Sequence, residues 1–282
     1  MMRKSSISIL LSRWESSYKS GQIEEAVVSI LDKFRLDGKK VYVTGGSRGI
    51  GKSVALGLAE AGADVAIIAR GIEAAEEAAH EVEQKGVKAV AVKADITVPE
   101  QVESMMKSII DVFGSLDAAF NNAGTAVVEK AEEMSYESLT SVINLNLVGT
   151  FLTCQAAARE MMKKKKGSII NMASMSAHVV NVPQTTSNYN ASKAGVVQLS
   201  KCLAVEWAPH NIRVNSLSPG YTLTELARSF SEDLMRQWKE KIPMKRMADP
   251  EELQGAVLYL ASDASSYCTG TDLIVDGGYT LW

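Results

Sequence analysis

From Lys39 onward, short runs rich in β-branched residues alternate with longer stretches whose apolar residues recur at helical spacing. The runs at 40–44, 64–69, 87–92, 116–121, 167–173, 212–217 and 271–275 read as strands. Between them, 50–61, 72–85, 99–113, 136–165, 189–209 and 250–262 read as helices. Each strand is apolar on both faces, so the sheet they form must be covered on both sides. Parallel strands need crossover connections, and crossover helices supply that cover. The pattern therefore predicts one α/β domain over 36–282, a doubly wound parallel sheet with helices on both faces. A length of 282 residues allows one large domain or two ordinary ones, but no proline or glycine cluster interrupts 36–282 as a linker would.

Residues 1–35 are expected to be an N-terminal extension. Residues 1–20 are basic, serine-rich and poor in acids, a pattern shared by packing arms and mitochondrial transit peptides. Cys154, Cys202 and Cys268 are odd in number and widely spaced, which suggests neither a disulfide framework nor a metal site and fits a reducing, cytoplasmic setting. A net charge of −3 offers no broad cationic surface for nucleic acid. The unbroken apolar runs fall far short of the roughly 20 residues of a bilayer span, so no membrane association is expected. The block Lys163–Lys166 reads as a solvated helix end before Gly167.

The first strand, Lys40 to Thr44, runs into Gly45-Gly-Ser-Arg-Gly-Ile-Gly51 and then into an Ala- and Leu-rich helix. A sharp strand-to-helix turn needs residues without a β-carbon, and the amides at the helix start attract a pyrophosphate. The second strand ends in Ile67-Ile-Ala-Arg70, where an NAD-binding fold places an acid on the adenosine ribose. Here Ala69 leaves room for a 2′-phosphate, and the Arg70 guanidinium is suited to holding it, with Arg48 adding a second charge. NADP(H) is expected over NAD(H).

Tyr189 and Lys193 stand four apart at the start of a helix and so share one face. A phenol titrates near 10, and a nearby ammonium, joined by a cationic nicotinamide, is expected to lower that value by favouring the phenolate. Ser174 lies at the carboxyl end of the fifth strand, the edge where open α/β sheets bind ligands. The fourth strand ends in Asn121-Asn-Ala-Gly124, and Asn146 lies within the long helix that follows, where a buried amide needs a partner.

These motifs together resemble the short-chain dehydrogenase/reductase family: TGGSRGIG at 44–51, Asp95, NNAG at 121–124, Asn146, Ser174, YNASK at 189–193 and Ser218-Pro-Gly-Tyr-Thr222, all in family order. The resemblance implies an NAD(P)-dependent oxidoreductase with a Rossmann-type seven-stranded sheet, commonly a homotetramer. It implies Tyr189 as general acid/base, Lys193 as orienter of the nicotinamide ribose, Ser174 as carbonyl anchor and Asn146 as holder of a relay water. The cofactor contacts it implies are Gly45, Ser47, Arg48, Gly49, Ile50, Gly51, Arg70, Asp95, Ile96, Asn121, Asn122, Ala123, Gly124, Tyr189, Lys193, Pro219, Gly220, Thr222 and Thr224. Serine and tyrosine are fifteen residues apart, slightly more than usual in the family, which leaves Ser176 as a rival anchor.

Within the family, ASMSAHVVNVPQ before the tyrosine, LAVEWAPHNIRVNSLSPGY after it and the terminal DGGYTLW are similar to the microbial mannitol, sorbose and arabinitol dehydrogenases. That likeness implies reduction of a small ketose to its polyol, with Ser176, His178 and Gln184 as candidate substrate contacts and no resident metal. A 3-oxoacyl-[acyl-carrier-protein] reductase shares the same catalytic residues and is the alternative enzyme. A non-catalytic nucleotide-sensing protein on the same fold is the alternative of another class, disfavoured because Asn146, Ser174, Tyr189 and Lys193 are all present. The helices at 136–165 and 189–209 and the apolar end Leu281-Trp282 are expected to lie at subunit interfaces.

Overall fold

Alternation within each strand sends neighbouring side chains to opposite faces of the sheet, and two separate cores result. Tyr42, Ala66, Ile68 and Ala119 pack on one face beneath helices of the 99–113, 150–164 and 187–207 segments. Val41, Val43, Val65, Ile67 and Phe120 pack on the other against helices of 49–60, 72–83 and 254–261.

The computed structural model describes residues 29–282. The chain divides into two units, of which the larger, Phe34–Trp282, is compact. Most of the proposed extension, including the segment read for targeting, lies outside the described residues. The larger unit contains seven strands: β1 (Lys40–Thr44), β2 (Asp64–Ala69), β3 (Ala89–Lys93), β4 (Ala118–Asn121), β5 (Gly167–Met172), β6 (Ile212–Pro219) and β7 (Asp272–Val275). They form one sheet in the order β3-β2-β1-β4-β5-β6-β7, with every pairing parallel. The order reverses direction between β1 and β4, and ligands bind at the carboxyl edge beside such a switch point.

The helices are α1 (Gly49–Glu60), α2 (Ile72–Glu83), α3 (Pro99–Phe113), α4 (Tyr136–Ile143), α5 (Thr150–Lys164), α6 (Ser187–Trp207), α7 (Glu225–Arg228), α8 (Glu232–Lys241) and α9 (Gln254–Ala261). Two features depart from the sequence reading. The stretch expected as one helix over 136–165 contains a π-helical turn, Asn144–Gly149, between α4 and α5. Its wider winding is not visible in a 3.6-residue hydrophobic period, and such turns are frequent at functional sites. Helices α7 and α8, between β6 and β7, were not anticipated. The signal for α8 was present: Ser231 caps it by accepting from the Leu234 amide, and Leu234, Met235, Trp238 and Ile242 lie on its packed side.

Among the described residues, the helical run Tyr136–Lys164 is long and apolar enough to cross a bilayer by length and composition, with a mean hydropathy of 1.2. Half of its most apolar window is buried inside the protein, as in a core helix. Lys165 ends α5 in the left-handed conformation, not the expected Gly167, which opens β5 instead. There the missing side chain matters, because a Cβ at Gly167 would lie 2.2 Å from Met161 Sδ.

Candidate active site

The turn after β1 is built of bare backbone. Gly45 has φ +62°, and a Cβ on it would lie 3.0 Å from Asn122 Nδ2 and 3.1 Å from Ala123 Cα. At Gly51 a Cβ would come within 2.3 Å of the Gly45 carbonyl oxygen. The end of β4 clamps this turn: Asn122 Nδ2 donates to Thr44 O at 3.0 Å and to Gly45 O at 3.2 Å. Thr44 Oγ1 in return accepts from the Asn122 and Ala123 amides. Helix α1 begins with no side-chain cap on its first amides, so those donors are left for an anion. This cradle fits a dinucleotide pyrophosphate.

A cavity of about 740 Å³ runs along the carboxyl edge of the sheet from this turn. Its lining includes Gly45, Ser47, Arg48, Ile50, Gly51, Arg70, Asp95, Ile96, Asn122, Ala123, Gly124, Pro219, Gly220, Thr222 and Thr224. Donors from the Thr97 backbone and hydroxyl hold the Asp95 carboxyl below the usual range, with Arg70 adding to the effect. Two expected contacts lie elsewhere. Gly49 takes a left-handed φ of +56° and faces Thr224, outside the lining. Asn121 is buried in the sheet, where it accepts from the Tyr42 hydroxyl at 2.8 Å and donates to Asn171 Oδ1 at 2.9 Å. It belongs to a core network with Cys154, whose thiol burial pushes up to about 12.

Farther along the same cavity lie Ser174, Ser176, Gln184, Tyr189 and Lys193. Tyr189 and Lys193 share one face of α6, with Lys193 Nζ 5.7 Å from the centre of the Tyr189 ring. Ser174 offsets part of the rise that burial gives the Tyr189 phenol. Its hydroxyl donates to Ser176 Oγ at 3.1 Å and accepts from the Ser176 amide. Both serines line the cavity, and this pair of bonds ties one to the other. Lys193 donates to Met172 O at 2.7 Å, and burial draws its ammonium down to about 8. For Tyr189, with no nicotinamide beside it, burial raises the phenol above its ordinary value, and Ser174 only partly offsets this. The ring has protein around it and Lys193 is bonded to a carbonyl, so desolvation outweighs the cation.

Asn146 does not line the cavity. Its carboxamide accepts from the Thr125 amide at 2.8 Å and donates to Thr125 O and Ser192 Oγ at 2.9 Å each. The side chain fixes Thr125, which does line the cavity. His178 is also displaced: its Nε2 pairs with Asp272 Oδ2 at 2.6 Å, beside Ser218, which bonds the same carboxylate. It ties the loop after β5 to β7 and does not reach the substrate region. Sequence reading missed the opposite wall, where Tyr221, Leu226, Ala227, Phe230, Trp238 and Met247 close the cavity. Tyr221 stacks on Trp238 with ring centres 4.3 Å apart. Among the described residues no group of three or more His, Cys, Asp or Glu is arranged to hold a metal ion.

Residues 45–280 match the family model described as enoyl-(acyl carrier protein) reductase. Sorbose reductase sou1 of Schizosaccharomyces pombe is 46% identical over 249 residues, covering 87% of this chain and 97% of that protein. The chain belongs to the short-chain dehydrogenase/reductase family. A D-arabinitol 2-dehydrogenase (ribulose-forming) of Candida tropicalis is 43% identical, covering 90% of this chain and 96% of the relative. An NADP-dependent mannitol dehydrogenase of Alternaria alternata is also 43% identical, with 89% and 95% covered. A crystal structure of a short-chain type dehydrogenase/reductase from Mycobacterium marinum superposes with a TM-score of 0.87 at 49% identity, covering 89% of this chain and 99% of that one. As a short-chain dehydrogenase/reductase, this protein is an NAD(P)-dependent oxidoreductase acting on a CH–OH or C=O group.

Proposed function

We propose that this short-chain dehydrogenase/reductase uses NADPH to reduce a small ketose to its polyol, and runs in reverse on the polyol. The observation that carries the reading is the joining of Ser174, Tyr189 and Lys193 to the glycine cradle within one cavity. When bound, the reduced nicotinamide supplies the hydride. Ser174 Oγ donates to the substrate carbonyl oxygen and holds it beside the Tyr189 hydroxyl. Because burial keeps the phenol protonated near neutrality, Tyr189 is charged with the proton that the alkoxide requires. Lys193 supplies a positive charge beneath that transfer, and Asn146 is a positioning residue that holds Thr125 at the cavity wall. Ser176 acts through Ser174.

Support for NADP(H) comes from Arg48 and Arg70 on the cavity wall and from Ala69 where an acid would repel a 2′-phosphate. The named activities of the sorbose, arabinitol and mannitol relatives support the substrate class. Leu281 and Trp282 are 81% and 78% exposed, and Tyr136 is 75% exposed. Apolar groups so placed fit a homotetramer. A cytoplasmic location, without nucleic-acid or membrane partners, is part of the same reading. The apolar wall around Leu226, Phe230 and Met247 favours one second reading, reduction of a 3-oxoacyl thioester.

The deciding experiment supplies a ketose panel and an acetoacetyl thioester with NADPH or NADH and follows nicotinamide absorbance. Ketose turnover preferring NADPH is expected, with Arg70→Ala lowering NADPH affinity by about one to two decades. Thioester turnover alone, or equal kinetics with both cofactors, would reject the reading.

A further inference from the structure

The segment between Ser176 and α6 crosses the cavity and is held from several sides. Glu129 N donates to Thr185 O at 3.0 Å, and Lys241 Nζ donates to Val182 O. From α6, Asn190 Nδ2 donates to Val179 O at 3.0 Å, while its Oδ1 accepts from Thr186 Oγ1 at 3.0 Å. Asn190 therefore brackets the segment that carries Gln184.

The bond to Val179 O also fixes which way the Asn190 carboxamide faces. A backbone carbonyl only accepts, so Asn190 must present its NH2 on that side. The same nitrogen reaches Asn181 Oδ1 at 3.5 Å, a long contact. Asn181 Oδ1 therefore faces that nitrogen, and Asn181 draws the Tyr221 phenol down against the effect of burial. The Tyr221 hydroxyl lies 2.6 Å from Gln184 Oε1. That separation belongs to O–H···O bonds and is below the usual N–H···O range. Tyr221 is thus the donor and the Gln184 carbonyl the acceptor. Burial raises the Tyr221 phenol well above its ordinary value, so the proton stays in place. Tyr279 meets Tyr221 edge-on, with ring centres 5.5 Å apart. Stacking on Trp238, interplanar angle 10°, fixes the plane of the Tyr221 ring.

Building on the ketose-reductase reading, we propose that Gln184 is a specificity-determining residue. Its NH2 is aimed into the cavity to donate to a substrate hydroxyl oxygen, and the Tyr221 hydroxyl, donating to the Gln184 carbonyl, sets that orientation. The carbonyl end of Gln184 is committed to Tyr221, and among the described residues the NH2 end has no partner while the residue lines the cavity. Tyr221 is a positioning residue, and Asn190 holds the segment that carries Gln184. The group recognised is an oxygen with free lone pairs on a carbon near the ketone, which a polyhydroxylated substrate has and a plain alkanone lacks.

The test compares kcat/KM for a six-carbon ketose and for 2-hexanone, with saturating NADPH, in the parent enzyme, Gln184→Leu, Gln184→Glu and Tyr221→Phe. Circular dichroism and the thermal midpoint report folding. The ketose-to-hexanone ratio should fall about 3- to 10-fold in Gln184→Leu, through KM for the ketose. Gln184→Glu, which keeps the shape and the acceptor but loses the donor, should fall at least as far. Tyr221→Phe keeps the stacking ring and should show a smaller drop in the same direction; it remains a test if the Gln184 variants fail to fold. A parent enzyme with no preference for the ketose would overturn the substrate reading and this inference together. A parental preference that survives in Gln184→Glu or Tyr221→Phe would overturn the inference alone.

Discussion

Replacing Gly51 by alanine puts the cofactor cradle to a quantitative test. The added Cβ would sit 2.3 Å from Gly45 O, 2.5 Å from Asn122 Nδ2 and 3.0 Å from the Gly45 carbonyl carbon. Two of these atoms are backbone, so relief requires the turn itself to shift by several tenths of an ångström or more. The shift would break the clamp in which Asn122 donates to Thr44 O and Gly45 O. Two such bonds are worth about 1 kcal/mol each, and a disordered turn also loses its preformed amides for the pyrophosphate. A loss of about 2–3 kcal/mol in binding is a 30- to 150-fold rise in Kd, by the usual ~1.4 kcal/mol per decade. Titrating NADPH fluorescence against the purified variant measures it. Gly255 in α9, where a Cβ meets nothing within 4 Å, is the control. Gly255→Ala should leave binding unchanged and stability equal or up to ~1 kcal/mol higher. A folded Gly51→Ala protein with parental NADPH affinity would refute the argument that the turn must be bare.

Tyr189→Phe should retain NADPH binding while turnover falls about 10²- to 10⁴-fold, as the loss of a general acid requires; parental turnover would remove Tyr189 from the reaction. In the reductive direction, Lys193 is charged below its value of about 8 and neutral above it. Reduction should therefore decline as pH rises through that region, while oxidation, which needs the phenol deprotonated, should increase with pH because burial raises that group. A reductive pH–rate profile flat to pH 10 would contradict this assignment. Removing residues 281–282, whose side chains are mostly exposed, should weaken the proposed tetramer in dilute solution without altering the circular dichroism spectrum. Sedimentation of the two forms provides the check, and unchanged assembly would count against an interface there.

Alternating apolar periods were enough to place all seven strands within about two residues and to require a covered parallel sheet. The bare turn at 45–51 and the i,i+4 pair Tyr189 and Lys193 were legible for the same reason: each depends on local geometry that a short segment fixes for itself. Tertiary structure decided whatever depends on which segments meet. Asn121 and Asn122 are adjacent, yet β4 sends one side chain into the core and the other to the turn, a division set by the pleat and register of the sheet. His178 went to Asp272, 94 residues away, a pairing that no local pattern announces. The direction of the Tyr189 shift also waited on the fold: helical spacing brings an ammonium near the phenol, but only packing determines how much water both lose, and here the desolvation prevails. Gln184 could be read as a polar side chain near a cavity. Its orientation comes from Tyr221, two residues beyond β6, and the segment that carries it is held by Asn190 of α6, because hydrogen-bond direction is set by partners that meet only in three dimensions.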